Sequence, residues 1–402
     1  MPNASHFPVR LAWIVLLPAL LAAPAHGMSA LARQGFQHFY NLEYEQAITA
    51  FQQEIASQPA QPDGYNYMAQ AILYRAMYRS GYLENTLATG DDVVMSLIHQ
   101  PNLVLSREDD GAFHQSIAAA MQRAGALLSR NPNDAAALYS LGVAHSLKAS
   151  YDFLVRKAWL ASLRESSAAR RLHARAAELN PSNVDAQLMH GIQQYALASL
   201  PAALRMIGAV AGLRGDREAG LRTLERVAAE GSTCSVEARM LLFTLYRHEK
   251  RPWSAMSMVH GLRRDFPRNY VLHLGEIYTL AEMNDEHGAF ASVRTLDQLH
   301  RDGAPGYVAL HPAKIEYTRG MIQRRFGHLD QALESMNRAA TQQDPATQLL
   351  AYEQLGMIHD LKGDRHHAVE AYRKVVDSAP NSRVAKESQR YLARPFQAAS
   401  VD

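Results

Sequence analysis

Residues 352–380 read YEQLGMIHDLKGDRHHAVEAYRKVVDSAP, and their spacing decides the fold. Tyr352, Leu355, Gly356 and His359 recur at helical period, as do Ala368 and Tyr372 after a polar turn, and Pro380 closes the segment. Gly356 and Ala368 are small where two antiparallel helices must approach closely, and proline cannot continue a helix. One such hairpin cannot cover its own apolar face. It needs neighbours on both sides, so further copies are expected along the chain.

Those copies are present. Leu31, Gly35, Ala47, Phe51 and Pro59 repeat the pattern near the start, with Leu42, Glu43 and Tyr44 as the turn. A third set runs through Leu242, Tyr246, Ala255, Val259, Leu262 and Pro267, a fourth through Ala289, Val293 and Leu296, and a fifth through Gly320, Gly327, Ala332 and Ala339. The phrases at 327–332 and 363–368 both place a glycine turn before an aspartate at the start of the next helix.

These marks together resemble the tetratricopeptide repeat (TPR), whose period is about 34 residues. The resemblance implies an all-α fold: an α-solenoid of antiparallel helix hairpins, a TPR-like superhelix. Between Pro62 and Ser235 the pattern stretches. Gly142 and Ala169, Ala176 and Pro181 are separated by about four extra helical turns, and a similar delay divides Gly191 from the phrase at 215–221. Ala112 to Leu128 is likewise set back from Tyr65 to Tyr82 by the stretch Thr86 to Arg107. The middle of the array is therefore expected to carry elongated hairpins.

The expected organisation is a signal peptide at 1–27, a TPR-like repeat at 28–61 and elaborated helical repeats at 62–235. Two TPR-like repeats follow at 236–303, then a linker at 304–312, two more repeats at 313–382, and a capping helix and tail at 383–402. The leader reading rests on Arg10 before the apolar run Leu11 to Ala23, with small residues for cleavage at 23–27. It points to an exported protein, periplasmic or secreted. The run is short for a membrane span and contains Pro18.

Charge is balanced, with 41 Lys and Arg against 39 Asp and Glu, which argues against a nucleic-acid partner. The single cysteine, Cys234, rules out an intramolecular disulfide and reads as a small residue at a helix junction. No zinc-protease helix, phosphate loop or nucleophile elbow is present in the sequence. His359, His366, His367 and Glu370 lie close in sequence but lack the spacing of a closed metal site. The glycines of 208–215 read as close helix contacts, because their spacing does not fit a dinucleotide loop. No enzyme activity, cofactor or metal is expected.

Function is then sought on the surface the fold creates. In the TPR family the first helix of each hairpin lines a concave groove for an extended peptide or a partner helix. Carried onto this sequence, the resemblance implies groove positions at Met240, Thr244, Arg247, His248, Leu274, Tyr278, Lys314, Tyr317, Arg324 and Arg325. This basic and aromatic set suits a carboxylate or acidic segment of a protein or peptide partner. The family's carboxylate-clamping Lys and Asn pattern is not reproduced. A separate apolar run, Tyr151, Phe153, Leu154, Trp159 and Leu160, together with the apolar stretch Ala196 to Leu213, either extends the core or forms a site for a partner, lipid or membrane surface. The expected function is a non-enzymatic, exported scaffold or assembly factor of the cell envelope; the alternatives are a lipid or membrane-surface binding protein that uses the apolar inserted helices, and an enzyme with an unrecognised site.

Overall fold

The computed structural model describes residues 28–84, 102–181, 183–199, 205–206, 215–231 and 234–397, which are helices joined by turns, with no strand among them. The expected leader at 1–27, most of Thr86 to Arg107 and most of Ala196 to Leu213 lie outside the described residues. The chain forms two compact units, Met1–Phe266 and Pro267–Asp402. The repeat spacing alone does not mark that division.

Among the described residues the first unit contains five packed helix pairs. They are α1 (Ala30–Tyr40) with α2 (Tyr44–Ser57), α3 (Asp63–Arg79) with α4 (Arg107–Arg130), α5 (Ala135–Leu154) with α6 (Trp159–Leu179), α7 (Leu188–Ala198) with α8 (Arg217–Glu230), and α9 (Ser235–His248) with α10 (Pro252–Asp265). Side-chain caps start several of them: Ser29 accepts from Ala32 N, Ser106 from Asp109 N, and Asp134 from the N–H groups of Ala136 and Ala137. Each satisfies a donor that the helix itself leaves unpaired, for about 1 kcal/mol.

Long helices α5 and α6 run together because small residues form their seam. Ser162 and Ala169 are fully buried, and the Ser162 hydroxyl donates to Ala149 O at 2.7 Å. Helix α1 also reaches the far end of its unit. Tyr40 donates its hydroxyl to Glu237 on α9, its ring lies 4.9 Å from that of Phe266, and the Gln37 amide donates to Asp265 O at 3.1 Å.

The second unit pairs α11 (Tyr270–Glu282) with α12 (Glu286–Arg301), α13 (Pro312–Arg325) with α14 (Leu329–Thr341), and α15 (Pro345–Leu361) with α16 (Arg365–Ser378). Helix α17 (Arg383–Ala393) packs on α16 and α15, where Tyr391 and Leu392 cover Met357 and Tyr372.

One contact sets the register of both units. A Cβ added to Gly35 would lie 2.7 Å from Phe51 Cδ1, one on Gly320 2.9 Å from Met336 Cε, and one on Gly356 2.6 Å from Tyr372 Cδ1. The same contact closes the long hairpins, Gly142 against His173 and Gly191 against Leu224, although their partners lie much further along the sequence. The α5–α6 pair, with helices of 20 and 21 residues, has thus gained length while keeping one point of close approach, whereas α7 and α8 are 11 and 14 residues long and most of the sequence between them lies outside the described residues. Seven residues after each of Gly35, Gly320 and Gly356 the turn places a residue in the left-handed region, Leu42 (φ 65), Gly327 (φ 82) and Gly363 (φ 77). Lys250 and Asn284 take the same conformation between α9 and α10 and between α11 and α12.

Candidate partner-binding site

The groove positions fall into different environments. On α9, Met240 and Arg247 are buried, Thr244 is half-buried and His248 is exposed. The Arg247 guanidinium lies 5.4 Å from the Phe243 ring centroid, so part of its charge is spent on its own helix. On α11, Leu274 is buried and Tyr278 half-buried, with its hydroxyl 3.5 Å from Thr318 Oγ1. On α13, Lys314, Tyr317 and Arg324 are half-buried, while Arg325 is exposed and donates to Asn284 Oδ1 at 3.0 Å. Met240, Arg247 and Leu274 are thus more enclosed than an open groove wall requires. Side-by-side packing of helices within each unit accounts for this.

A cluster of buried charged groups lies in the second unit, on α13, α15 and α17. Counting the groove positions onto the final repeat gives Glu353, Met357 and Asp360, which the sequence reading did not reach. Glu353 is 7% exposed and its Oε1 has no hydrogen-bond partner in the chain. Burial, reinforced by nearby Glu387, lifts its carboxyl to about 8, against the opposing pull of Arg383 and Arg324. The Arg324 Nε is likewise buried without a hydrogen-bond partner, and desolvation lowers its pKa. Asp360, by contrast, is fully used. It accepts from Arg365 Nη1 at 2.9 and 3.0 Å, from the Tyr372 hydroxyl at 3.0 Å and from Phe396 N at 2.8 Å.

The first unit holds a buried polar centre that no sequence motif marked. Glu237 is 2% exposed, accepts the Tyr40 hydroxyl through Oε1, and has no hydrogen-bond partner on Oε2. Burial raises its carboxyl to about 7 despite that hydrogen bond, and Asp185 adds to the rise. Cys234 sits beside it at the N-terminus of α9. Its N–H donates to Asp185 Oδ1 at 3.0 Å, and its Sγ lies 3.4 Å from the Tyr139 hydroxyl. Burial pushes the Tyr139 hydroxyl well above the ordinary phenol range.

The apolar run divides in two. Tyr151, Phe153 and Leu154 are core residues: Tyr151 stacks on Phe113 at 4.8 Å, and Phe153 meets Trp159 edge-on at 5.0 Å. Trp159 is half-buried, whereas Leu160 is 73% exposed and shares a surface concavity with Leu163, Arg164, Ser167 and Arg171. No helix among the described residues is long and apolar enough to cross a membrane.

Two sets of metal-ligand types come close at the last repeat, His359 with Asp364 and His367, and His366 with His367 and Glu370. Asp364 already caps α16 through His367 N and accepts from His367 Nδ1 at 2.6 Å. The second set is exposed on all three residues. In the first set His359 Nδ1 is buried without a hydrogen-bond partner, 3.4 Å from Asp364 Oδ2, and each set offers three ligand types where a closed structural site uses four. Near α8, Gly215 is a close helix contact, since a Cβ there would lie 2.6 Å from Gln194 O; the rest of 208–214 lies outside the described residues.

Residues 349–382 match the family described as Tetratricopeptide repeat. No curated protein matches the chain. Among solved structures, the chain is similar to yeast Tom70, with 14% identity over 91% of this chain and 97% of that one, at a TM-score of 0.32. It is also similar to the human IFIT1 dimer with m7Gppp-AAAA, with 12% identity over 97% and 85% of the two chains, at a TM-score of 0.42. These scores assign no ligand here. Residues 349–382 are thus identified as a tetratricopeptide repeat, and the same close helix contact recurs in register at Gly35 with Phe51 and Gly320 with Met336.

Proposed function

We propose that this protein is a non-enzymatic, exported scaffold or assembly factor of the cell envelope that binds a polypeptide partner through the first helices of its repeats. One observation carries the reading. Helices α13 and α15 hold Arg324 and Glu353 at groove positions, each with a buried polar atom lacking a hydrogen-bond partner in the chain. Such atoms are costly unless something supplies the missing bonds, and a bound peptide offers both donors and acceptors along its backbone. Export and residence in the periplasm or outside the cell rest on the leader-like sequence before residue 28.

Fractionation followed by affinity capture with the mature chain tests this reading. The expected result is a defined polypeptide recovered from the envelope or secreted fraction, with binding weakened by Arg325→Glu. Liposome flotation tests the membrane-surface alternative, for which exposed Leu160 is the anchor. Flotation without polypeptide capture would replace the scaffold reading by the lipid one.

A further inference from the structure

Residues 394–397 already lie against α13, α15 and α17 in the second unit. After α17, Phe396 turns back onto α13 and α15. Its N–H donates to Asp360 Oδ2 at 2.8 Å, and its ring lies 5.7 Å from the Arg324 guanidinium carbon and 5.4 Å from the Tyr391 ring centroid. Arg365 braces the approach by donating to the carbonyls of Tyr391 and Leu392 at 2.7 and 2.8 Å. The flanking residues Arg394, Pro395 and Gln397 are exposed. One aromatic ring and one backbone hydrogen bond therefore hold the segment, in an extended rather than helical form.

That manner of holding is how an extended peptide is recognised: a backbone donor fixes the position, and a side chain fills the adjoining space. The fit is incomplete. With Phe396 in place, Arg324 Nε and Glu353 Oε1 still lack hydrogen-bond partners. A purely structural cap would be expected to satisfy buried polar groups at its own contact surface. Here the tail covers the aromatic subsite and leaves the neighbouring polar subsite unsatisfied.

We infer that residues 394–397 are a tethered stand-in for the partner, occupying the peptide site on α13, α15 and α17 until an extended segment of another polypeptide displaces them. The partner segment carries an aromatic side chain for the Phe396 position, a donor for Glu353 and an acceptor for Arg324. This rests on the polypeptide-binding reading above and names its site and its regulation. Because the tail is covalently attached, it competes at high effective concentration, so a partner must exceed it in contacts rather than merely match it. The pair of unsatisfied groups supplies those extra contacts.

The probe is a fluorescein-labelled peptide with the sequence of residues 393–402, titrated by anisotropy into the full mature chain and into its Phe396→Ala variant. The variant should bind about tenfold or more tightly than wild type, because apparent affinity scales with the fraction of chains whose site is open. Adding Arg324→Ala to Phe396→Ala should abolish that gain, and a probe with alanine at the position of Phe396 should not bind. A chain ending at Ala393, which keeps α17 whole, serves as the second vacated form in case Phe396→Ala lowers stability.

Equal affinity in wild type and both vacated forms, or binding by none of them, overturns the inference and leaves the tail as a cap alone. The broader reading fails separately. If a captured envelope polypeptide binds wild type and the vacated chains equally and is not displaced by the probe, self-occupancy is wrong while scaffold function stands. If the vacated chains bind the probe but wild type and vacated chains alike retain no polypeptide, scaffold function loses its support while self-occupancy stands.

Discussion

Gly356 and Tyr372 share one space: the absent side chain of the glycine is filled by the tyrosine ring, whose Cδ1 and Cζ lie 2.6 and 2.7 Å from where a Cβ would be. The ring is fully buried and its hydroxyl reaches Asp360 at 3.0 Å, so it cannot swing aside without leaving a buried carboxylate short of a donor. Gly35 and Phe51 repeat the relationship in the first unit.

Gly356→Leu should destabilise the second unit by about 1 to 3 kcal/mol through overpacking. Combining Gly356→Ala with Tyr372→Leu should cost less than the sum of the single changes, since the smaller side chain makes room for the new methyl group. Urea unfolding of the four chains measures the coupling, and strict additivity would show that the two residues do not compete for space.

Glu237 makes stability depend on pH. Its folded-state carboxyl stands near 7, above the unfolded value of about 4.3, so the folded state binds the proton more tightly. Its contribution is therefore fully present below the unfolded value and is lost as pH rises through about 7. Glu237→Gln should gain on wild type by about 1 to 3 kcal/mol between pH 5 and pH 8. Buried His173 acts with the opposite sign: burial lowers it to about 4, so its contribution falls as pH drops from 6.5 toward 4. Denaturant curves at several pH values for wild type and Glu237→Gln decide the first effect, and parallel pH profiles would refute it.

The apolar run should separate by burial. Phe153 is 1% exposed, and Phe153→Ala should cost about 3 to 5 kcal/mol. Leu160 is 73% exposed, and Leu160→Ser should change stability by no more than about 0.5 kcal/mol. Thermal melts test both. A large loss from Leu160→Ser would mean that Leu160 packs against something, whereas an unchanged melt with lost flotation would identify it as a membrane contact.

Arg324 and Arg325 should also behave differently, although they are adjacent in sequence. Arg325 is exposed, so Arg325→Glu should leave helicity and melting nearly unchanged while weakening a captured partner, with the difference shrinking at high salt. Arg324→Glu should disturb the fold around Phe396, because its buried guanidinium would be replaced by a carboxylate near Glu353. Binding that is insensitive to Arg325→Glu at low salt would remove this residue from the partner surface.

The sequence by itself determined the helix pairs and their spacing. Small residues such as Gly356 and turn residues such as Gly363 act locally, through helix period, close approach and backbone conformation, and these are legible in a linear string. The helix Arg383–Ala393 was legible for the same reason, since its apolar and polar positions alternate with helical period. Only the tertiary structure decided which charged residues are solvated. Arg324 and Arg325 look alike in sequence, yet one is desolvated under Phe396 and the other donates to Asn284 on the surface. Glu237 and Tyr40 are 197 positions apart, and nothing local marks either of them; the buried carboxyl exists because packing within the first unit brings α1 to α9. The tail was missed for the same physical reason. Residues 394–397 have no period and no motif, and their place against α13 and α15 is set by Asp360, Arg324 and Arg365, whose positions only the assembled repeats define.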